Sequence, residues 1–362
     1  MKTKSAYWIT PLISIALLSV LLFSVACNVS QNRDMALSGS RDSYVLNVYD
    51  KFPKVPLPDD NPLTKPGIEL GRKLFYDPIL SGDSTQSCSS CHMQRFAFGD
   101  ESRFSKGMDN INGERNSPTI INCAWQLKYF WDGRAVSLEE QAIGPVENPI
   151  EMHASWKNVV AKVQRSEIYP SLFQQAFGTN HVTKKLVAKA IAQFERTLLS
   201  MNSKYDRVVR GEDTFTEQEL RGLNLFFTER ADCFHCHGNI LFTDQSFHNN
   251  GLDKTPQDTG LEKYTGRKRD IGKFKTPTLR NLAFSAPYMH DGRFQTLEEV
   301  IDFYSEGLNN SSTIDPLMKN VKKGGVHLTK EEKADLISFL NTLNDTSFIT
   351  NPAYSNPFEN PL

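Results

Sequence analysis

A mainly α-helical protein built as a tandem pair of related halves is what these 362 residues predict. Three observations carry that expectation. Helix-start signals recur as capping boxes at Ser137/Glu140, Thr216/Glu219, Thr296/Glu299 and Thr329/Glu332, where a hydroxyl and a carboxylate three residues apart satisfy each other's backbone donors. Apolar residues return at helical spacing: Val187, Ala190, Ile191, Phe194 and Leu198 form one stripe, and Leu336, Ile337, Leu340 and Leu343 another. The chain also repeats itself. NSPTIINCAWQLKYFWDGRAVSLEEQ (116–141) matches KTPTLRNLAFSAPYMHDGRFQTLEEV (275–300) at a constant offset that pairs Pro118 with Pro277, Asn122 with Asn281, Asp132 with Asp291 and Arg134 with Arg293.

The elements follow in order. Residues 1–27 read as an export signal: Lys2 and Lys4 precede an apolar run from Ile9 to Ala26, too short for a comfortable membrane span. The run ends SVAC, which resembles a bacterial lipoprotein signal with Cys27 as the lipidated mature terminus. Ser24 is unusual there, and SVA also suits ordinary signal peptidase, so both processing routes stay open. Residues 28–43 are polar and read as a tether. The first domain is expected over 44–203 and the second over 204–362, each closed by one of the striped helices, with the join near Ser200–Arg210. GRKLFYD (71–77) in the first half has a counterpart in GLNLFFT (222–228) in the second. The proline-rich stretches 52–66 and 351–362 cannot be regular helices and are expected to wrap the domain surfaces.

Composition narrows the function classes. The hydrophobic share of 39% is that of an ordinary globular chain, and 41 Lys+Arg against 42 Asp+Glu leave no net field to attract nucleic acid. The run Arg267–Lys268–Arg269, with Lys273 and Lys275 nearby, reads as a solvated loop or as a face for an acidic redox partner.

The six cysteines sort by spacing. Cys27 belongs to the signal, and Cys123 reads as a small buried apolar residue. Cys88/Cys91 and Cys233/Cys236 are CxxC pairs, each followed at once by a histidine. Zinc ribbons bring their CxxC pairs within about 15–20 residues, which these do not. A redox CxxC needs no histidine, let alone twice. Covalent haem explains the whole pattern: two thiols add to the two haem vinyls, and the adjacent imidazole reaches the iron. Two haem c groups are therefore expected, with His92 and His237 as proximal ligands. His181, His235, His248 and His327 read as exposed or loop residues.

With FWDGRA, LEEQAIGPVENPIEM, TPTLRN and YMHDGR added to the two CxxCH motifs, residues 60–345 resemble the bacterial di-haem cytochrome c peroxidases, whose superfamily includes MauG, the enzyme that matures methylamine dehydrogenase. The resemblance implies tandem cytochrome c-like domains. It implies a peroxide-binding N-terminal haem and a C-terminal haem that takes electrons from a small cytochrome c or copper protein. It places the peroxidatic glutamine and glutamate on Gln141 and Glu151, and a tryptophan relay between the haems on Trp131. It further implies an inter-haem calcium ion at Asn116, Ser285 and Pro287, the last two through backbone carbonyls. His290 is expected to hydrogen-bond a haem propionate.

The chain departs from the better-known peroxidases twice. Where they carry a distal histidine that blocks the resting enzyme, this chain has Met108. The expectation is an unligated N-terminal iron, with Met108 as a reversible ligand and, more remotely, His153 as competitors. Where they carry a methionine ligand fourteen residues after the histidine of YMHDGR, this chain has Tyr304, as the methylamine dehydrogenase maturation enzyme does. Met318 and a purely packing role for Tyr304 are the alternatives. Three functions follow: a periplasmic hydrogen peroxide reductase, a peroxide-dependent oxidase of a protein or organic molecule, or a plain di-haem electron carrier. A homodimer is left open, and the only membrane contact expected is a lipid anchor.

Overall fold

Two glycines fix how the helices cross. In this computed structural model, which describes residues 43–359, a Cβ on Gly71 would lie 1.9 Å from the Ala190 carbonyl oxygen, and one on Gly222 would lie 1.9 Å from that of Asp335. Glycine is therefore required at both crossings. Each sits on a helix early in its half, packed against that half's striped helix.

The first half contains α1 (Lys65–Tyr76), α2 (Leu138–Glu147), α3 (Trp156–Arg165), α4 (Tyr169–Phe177) and α5 (Lys184–Glu195). The second contains α6 (Lys204–Val209), α7 (Glu217–Phe226), the short α8 (Phe234–His237) and α9 (Glu262–Thr265), then α10 (Leu297–Glu306), α11 (Lys330–Asn341) and α12 (Thr346–Ile349). The strands β1 (Phe247–His248) and β2 (Phe274–Lys275) pair antiparallel. α1 packs on α5, and α7 packs on α11. The predicted stripes are the buried faces: Val187, Ala190, Ile191, Phe194 and Leu198 are at most 1% exposed. Leu336 and Leu340 on α11 and Leu343 just after it are buried, and Ile337 only partly. Phe339, which the stripe omitted, is the fully buried centre of that core.

The capping boxes form at Thr216, Thr296 and Thr329. At Ser137 only half does. Its hydroxyl accepts the Glu140 N–H (3.1 Å), but the Glu140 carboxylate accepts from Val136 N–H (2.8 Å) instead of closing on Ser137.

The internal repeat is structural as well as sequential. Asn122 and Asn281 both adopt left-handed backbone (φ 53° and 63°) ahead of matching 3-10 turns. Tyr129 bridges to Ala135 as Tyr288 does to Phe294. The tyrosine hydroxyls donate to the equivalent carbonyls of Cys123 (3.1 Å) and Leu282 (2.9 Å). The two halves also meet reciprocally: Asn116 N–H donates to the His290 carbonyl and Lys275 N–H to the Trp131 carbonyl, both at 2.8 Å. Under the repeat, Asn116 pairs with Lys275 and Trp131 with His290. The same two positions of each half thus bind the other half, as in a two-fold contact.

The flanking arms wrap across the halves. Phe52 packs against Trp125, whose indole N–H donates to the Pro53 carbonyl (2.9 Å), and Tyr49 donates its hydroxyl to Asp206 (3.2 Å). At the other end Phe348 packs on Phe98, Arg72 Nε donates to the Ser355 carbonyl (2.7 Å), and Tyr76 donates to that of Tyr354 (2.6 Å). The early arm thus reaches the second half and the late arm the first, and Leu46–Leu362 forms one compact unit.

Arg280 and Asp206 form a fully buried ion pair in the second half, 2.8 and 2.9 Å apart at the two guanidinium nitrogens. Asp206 also accepts from Ser203 and Tyr49, and Arg280 donates to the Ile240 carbonyl. Removing one partner strands the other charge out of water. Arg280→Met is expected to lower stability by about 3–5 kcal/mol in denaturant unfolding, and a loss below about 1 kcal/mol would show the pair to be solvated.

Candidate haem-binding site and peroxide pocket

A cavity of about 640 Å³ opens beside the first CxxCH segment, walled by the first half and in part by the second, and its wall brings together Cys88, Cys91, His92, Trp131, Gln141 and Glu151. The CxxCH segment enters as a 3-10 turn over Cys88–Ser90, and His92 N–H closes on the Cys88 carbonyl (3.0 Å). His92 Nδ1 faces the Phe98 carbonyl at 2.9 Å, and His237 Nδ1 faces that of Phe242 at 2.8 Å. Each carbonyl holds the proton on Nδ1 and leaves the Nε2 lone pair for a metal. Both acceptor residues adopt left-handed backbone, φ 58° and 53°, so the device is the same in both halves. Burial pushes both imidazoles down, His237 to about 4, which keeps the rings neutral as iron ligation requires.

These donors fit a covalent haem. Burial pushes the Cys88 thiol up, and Cys233 up to about 12, so both are neutral thiols on apolar walls and not thiolates awaiting a cation. Among the described residues, no group of close metal-ligating side chains joins the two CxxC pairs, which removes the shared zinc site. One buried polar atom on the cavity wall, Oε2 of Glu195, has no hydrogen-bond partner among the described residues.

Gln141 projects from α2, and Glu151 from the turn that follows it. Asn148 Nδ2 donates to Glu151 Oε1 (2.6 Å), and its backbone carbonyl accepts the Glu151 and His153 N–H groups (3.0 Å each). Burial raises the Glu151 carboxyl above its ordinary range, while Asn148 and the Arg134 charge pull the other way. The turn is clamped from outside: Met108 N–H donates to the Glu151 carbonyl (2.8 Å), and a Cβ on Gly107 would lie 1.9 Å from the Ile150 oxygen. Met108 therefore holds Glu151 through its backbone. Its sulfur accepts the Asp83 N–H (3.3 Å) and lines a separate cleft with His153, whose Nδ1 pairs with Asp109 (2.9 Å). Neither Met108 nor His153 lines the haem cavity.

Pro145 does, and the sequence reading passed over it. The repeat aligns Trp131 with His290. Counting fourteen residues on from each gives Pro145 in the first half and Tyr304 in the second. Where one half offers a phenol, the other has a ring with no donor atom. The signal lies in the repeat, a few residues beyond the matched segment.

Trp131 is pinned at both ends, its indole N–H donating to the Asn116 carbonyl (2.8 Å) and its own carbonyl accepting from Lys275. Asn116, Ser285 and Pro287 line the same cavity. Asn116 Nδ2 donates to the Ser102 and Arg103 carbonyls (3.1 and 3.3 Å), which turns its side-chain oxygen the opposite way. His290 is buried and stacks on Phe274 with ring centroids 3.6 Å apart. Lys275 is not part of the exposed basic run: its ammonium lies on the cavity wall bonded to Gln126 (2.5 Å), and burial lowers it to about 8.

In the second half Cys233, Cys236 and His237 lie at α8, and Tyr304 projects from α10 into the neighbourhood of both thiols. Burial raises the Tyr304 phenol to about 12, and Asn250 Nδ2, donating to its oxygen at 3.0 Å, opposes the rise. The same amide nitrogen lies 3.7 Å from the sulfur of Met289, a residue on the wall of the first half's cavity. Met318 sits in the turn after Asp315. His248 is neither exposed nor in a loop. It stands on β1, half-buried, with Nδ1 at 2.7 Å from Asp315 and Nε2 at 2.8 Å from Asp244, beside Cys236. Carboxylates on both ring nitrogens make it an imidazolium, raised to about 11. His235 also belongs to a short helix, paired with Glu229 and Asp232.

A helical protein with two equivalent cysteine–histidine haem sites, one of them beside an open acid-and-amide pocket, defines a di-haem c-type oxidoreductase. The chain belongs to the di-haem cytochrome c peroxidase family that includes MauG. Residues 65–214 match the family model described as di-haem cytochrome c peroxidase. Methylamine utilization protein MauG of Methylophilus methylotrophus is 36% identical over 292 residues, 80% of this chain and 85% of that protein. Cytochrome c551 peroxidase of Nitrosomonas europaea is 36% identical over 282 residues, 76% of this chain and 79% of that one. Among solved structures, a MauG-like protein associated with microbial copper homeostasis superposes with a TM-score of 0.82 at 38% identity, covering 87% of this chain and all of that one. The protein is thus a peroxidase-type oxidoreductase of the two-haem c class. Among the described residues no helix is long and apolar enough to cross a membrane.

Proposed function

We propose that the protein reduces hydrogen peroxide to water in the periplasm, drawing electrons one at a time from a small cytochrome c or copper protein through the C-terminal haem to the N-terminal one. The observation that carries this reading is the single cavity wall that holds His92, Gln141, Glu151 and Pro145 together. When bound, the haems supply the electron-transfer and peroxide-reducing iron. Glu151, lifted by burial, takes a proton from the near oxygen of peroxide and delivers it to the leaving oxygen. Gln141 orients the peroxide by hydrogen bonding. Two electrons and two protons convert each peroxide to two waters. Pro145 offers no donor atom and would leave a bound haem open to peroxide there, and Met108 acts only through the backbone clamp on Glu151. Trp131, tied to both halves, relays electrons, and Tyr304 would supply a ligand to the C-terminal iron when haem is bound. Asn116, with the Ser285 and Pro287 carbonyls, holds a calcium ion beside it.

The same reading assigns 44–203 and 204–362 to the two haem domains. Cys27 and the tether 28–43, outside the described residues but for Ser43, form a lipid-anchored export segment. A second reading, a peroxide-dependent oxidase of a protein or organic molecule, is favoured by Tyr304, which the family's better-known peroxidases lack.

Turnover of reduced cytochrome c with peroxide, two equivalents per peroxide, is the expected result, and none at all would leave an electron carrier. Because Glu151 must be ionised to accept the proton and its pKa is raised, the rate is expected to fall as pH drops through that value. Asn148→Ala removes a bond that favours the carboxylate, so the acid limb should move to higher pH. An unmoved limb would detach Glu151 from the proton transfer.

A further inference from the structure

Glu195, the last residue of α5, is 3% exposed and lines the N-terminal haem cavity. Its Oε2 has no hydrogen-bond partner among the described residues. The neighbouring cation, Arg196, is engaged by both oxygens of Glu139 on α2 at 2.7 and 2.9 Å. A buried carboxylate lacking a partner of its own is disfavoured, so only a positive charge beside it keeps the group ionised, and loss of that charge favours the neutral acid. Burial pushes it up to about 8, with Arg196 opposing and Glu139 adding to the rise. The peroxide-handling pair does not account for it, since Gln141 and Glu151 come from α2 and the turn after it. Glu195 reaches the cavity from α5, close enough to Cys88 to act on its thiol.

We propose that Glu195 is the proton-holding group of the N-terminal haem: it takes one proton from solvent as that haem accepts one electron from the donor protein, and releases it when the haem is reoxidised. This rests on the haem reading of the cavity. Reduction removes one positive charge from the iron, so a carboxylate beside it loses attraction and binds a proton, and the added electron and proton cancel in charge. The other groups around Glu195 do not supply the effect. Arg196 and Glu139 are locked in their ion pair. Cys88 carries no titrating thiol once it is bonded to haem, and the Cys123 thiol and the Tyr129 phenol, which both feel Glu195, are raised by burial and stay neutral. Lys275 and Glu151 share the cavity and are the controls.

Spectroelectrochemical titration of the two-haem protein between about pH 6 and about pH 9 tests the assignment. The reduction equilibrium of the N-terminal haem is expected to weaken with rising pH, by up to about tenfold per unit, in the wild type and in Lys275→Met. It should be nearly independent of pH in Glu195→Gln. A pH-independent wild type, or an unchanged slope in Glu195→Gln, overturns the proposal. If Glu195→Gln fails to load haem, the reduced-minus-oxidised infrared spectrum decides. A protonated-carboxyl band that shifts in heavy water and survives Glu151→Gln supports Glu195, and its absence refutes it. Lack of covalent haem on Cys88 and Cys91 in the wild type is a separate result, visible in the absorption spectrum, that refutes the underlying reading as well.

Discussion

Glu151→Gln is expected to lower peroxide turnover by about 10²–10⁴-fold while both haems stay attached and the fold is kept. The substitution preserves shape and removes only the ability to accept a proton. Glu151 Oε1 now receives the Asn148 amide N–H, and a glutamine carbonyl oxygen can receive the same bond. The turn itself is held by backbone bonds from Glu151 and His153 to Asn148 and from Met108 to Glu151, none of which involves the carboxylate. The loss should therefore appear in the chemical step, with haem absorption and thermal midpoint close to wild type. Steady-state oxidation of reduced cytochrome c provides the measurement. A variant with turnover near wild type would mean that proton transfer in this pocket belongs to another group.

The second large effect is at the other haem. Tyr304→Met is expected to raise the potential of the C-terminal haem, on the order of 0.1 V or more, and to introduce a methionine-to-iron charge-transfer band. A phenolate stabilises ferric iron, whereas a thioether stabilises ferrous iron. The phenol is close to both C-terminal thiols and receives the Asn250 amide, a bond that favours its anion over the neutral form that burial alone would leave. Met318→Leu should leave that potential where it is. If instead the Met318 variant moves the potential and the Tyr304 variant does not, the ligand assignment reverses. Peroxide turnover separates further consequences: a C-terminal haem made easier to reduce should still pass electrons, so Tyr304→Met should keep part of the activity that Glu151→Gln loses.

Some of the site was legible because its chemistry is local. A CxxCH motif places two thiols and an imidazole within one turn, and no tertiary context is needed to recognise it. The helix stripes were equally readable, since burial of α5 follows from spacing alone. Phe339 fits the i, i+3, i+4, i+7 spacing from Leu336 better than Ile337 does; what spacing does not show is that it joins a cluster with Phe226 and Phe242 contributed by distant segments. His248 and Lys275 were misread for a related reason. In sequence they stand among polar neighbours, but β1 and β2 turn one toward Asp244 and Asp315 and the other into the haem cavity. Nothing in the sequence marks Glu195, the last residue of α5; what makes it unusual is that its nearest cation is already taken by Glu139 from another helix.

The sequence alone determined the two haem attachment motifs, the helical class, the tandem repeat and, through Tyr304 and Pro145, the different chemistry of equivalent positions. These depend on residue identity and short-range spacing, which a chain carries before it folds. The tertiary structure alone decided that Met108 steadies Glu151 by its backbone and keeps its sulfur out of the cavity, that the arms cross to the opposite halves, and that Asn116 and Lys275 exchange bonds with His290 and Trp131. Those facts depend on which distant groups come within hydrogen-bond reach, and on which polar atoms burial then leaves without one.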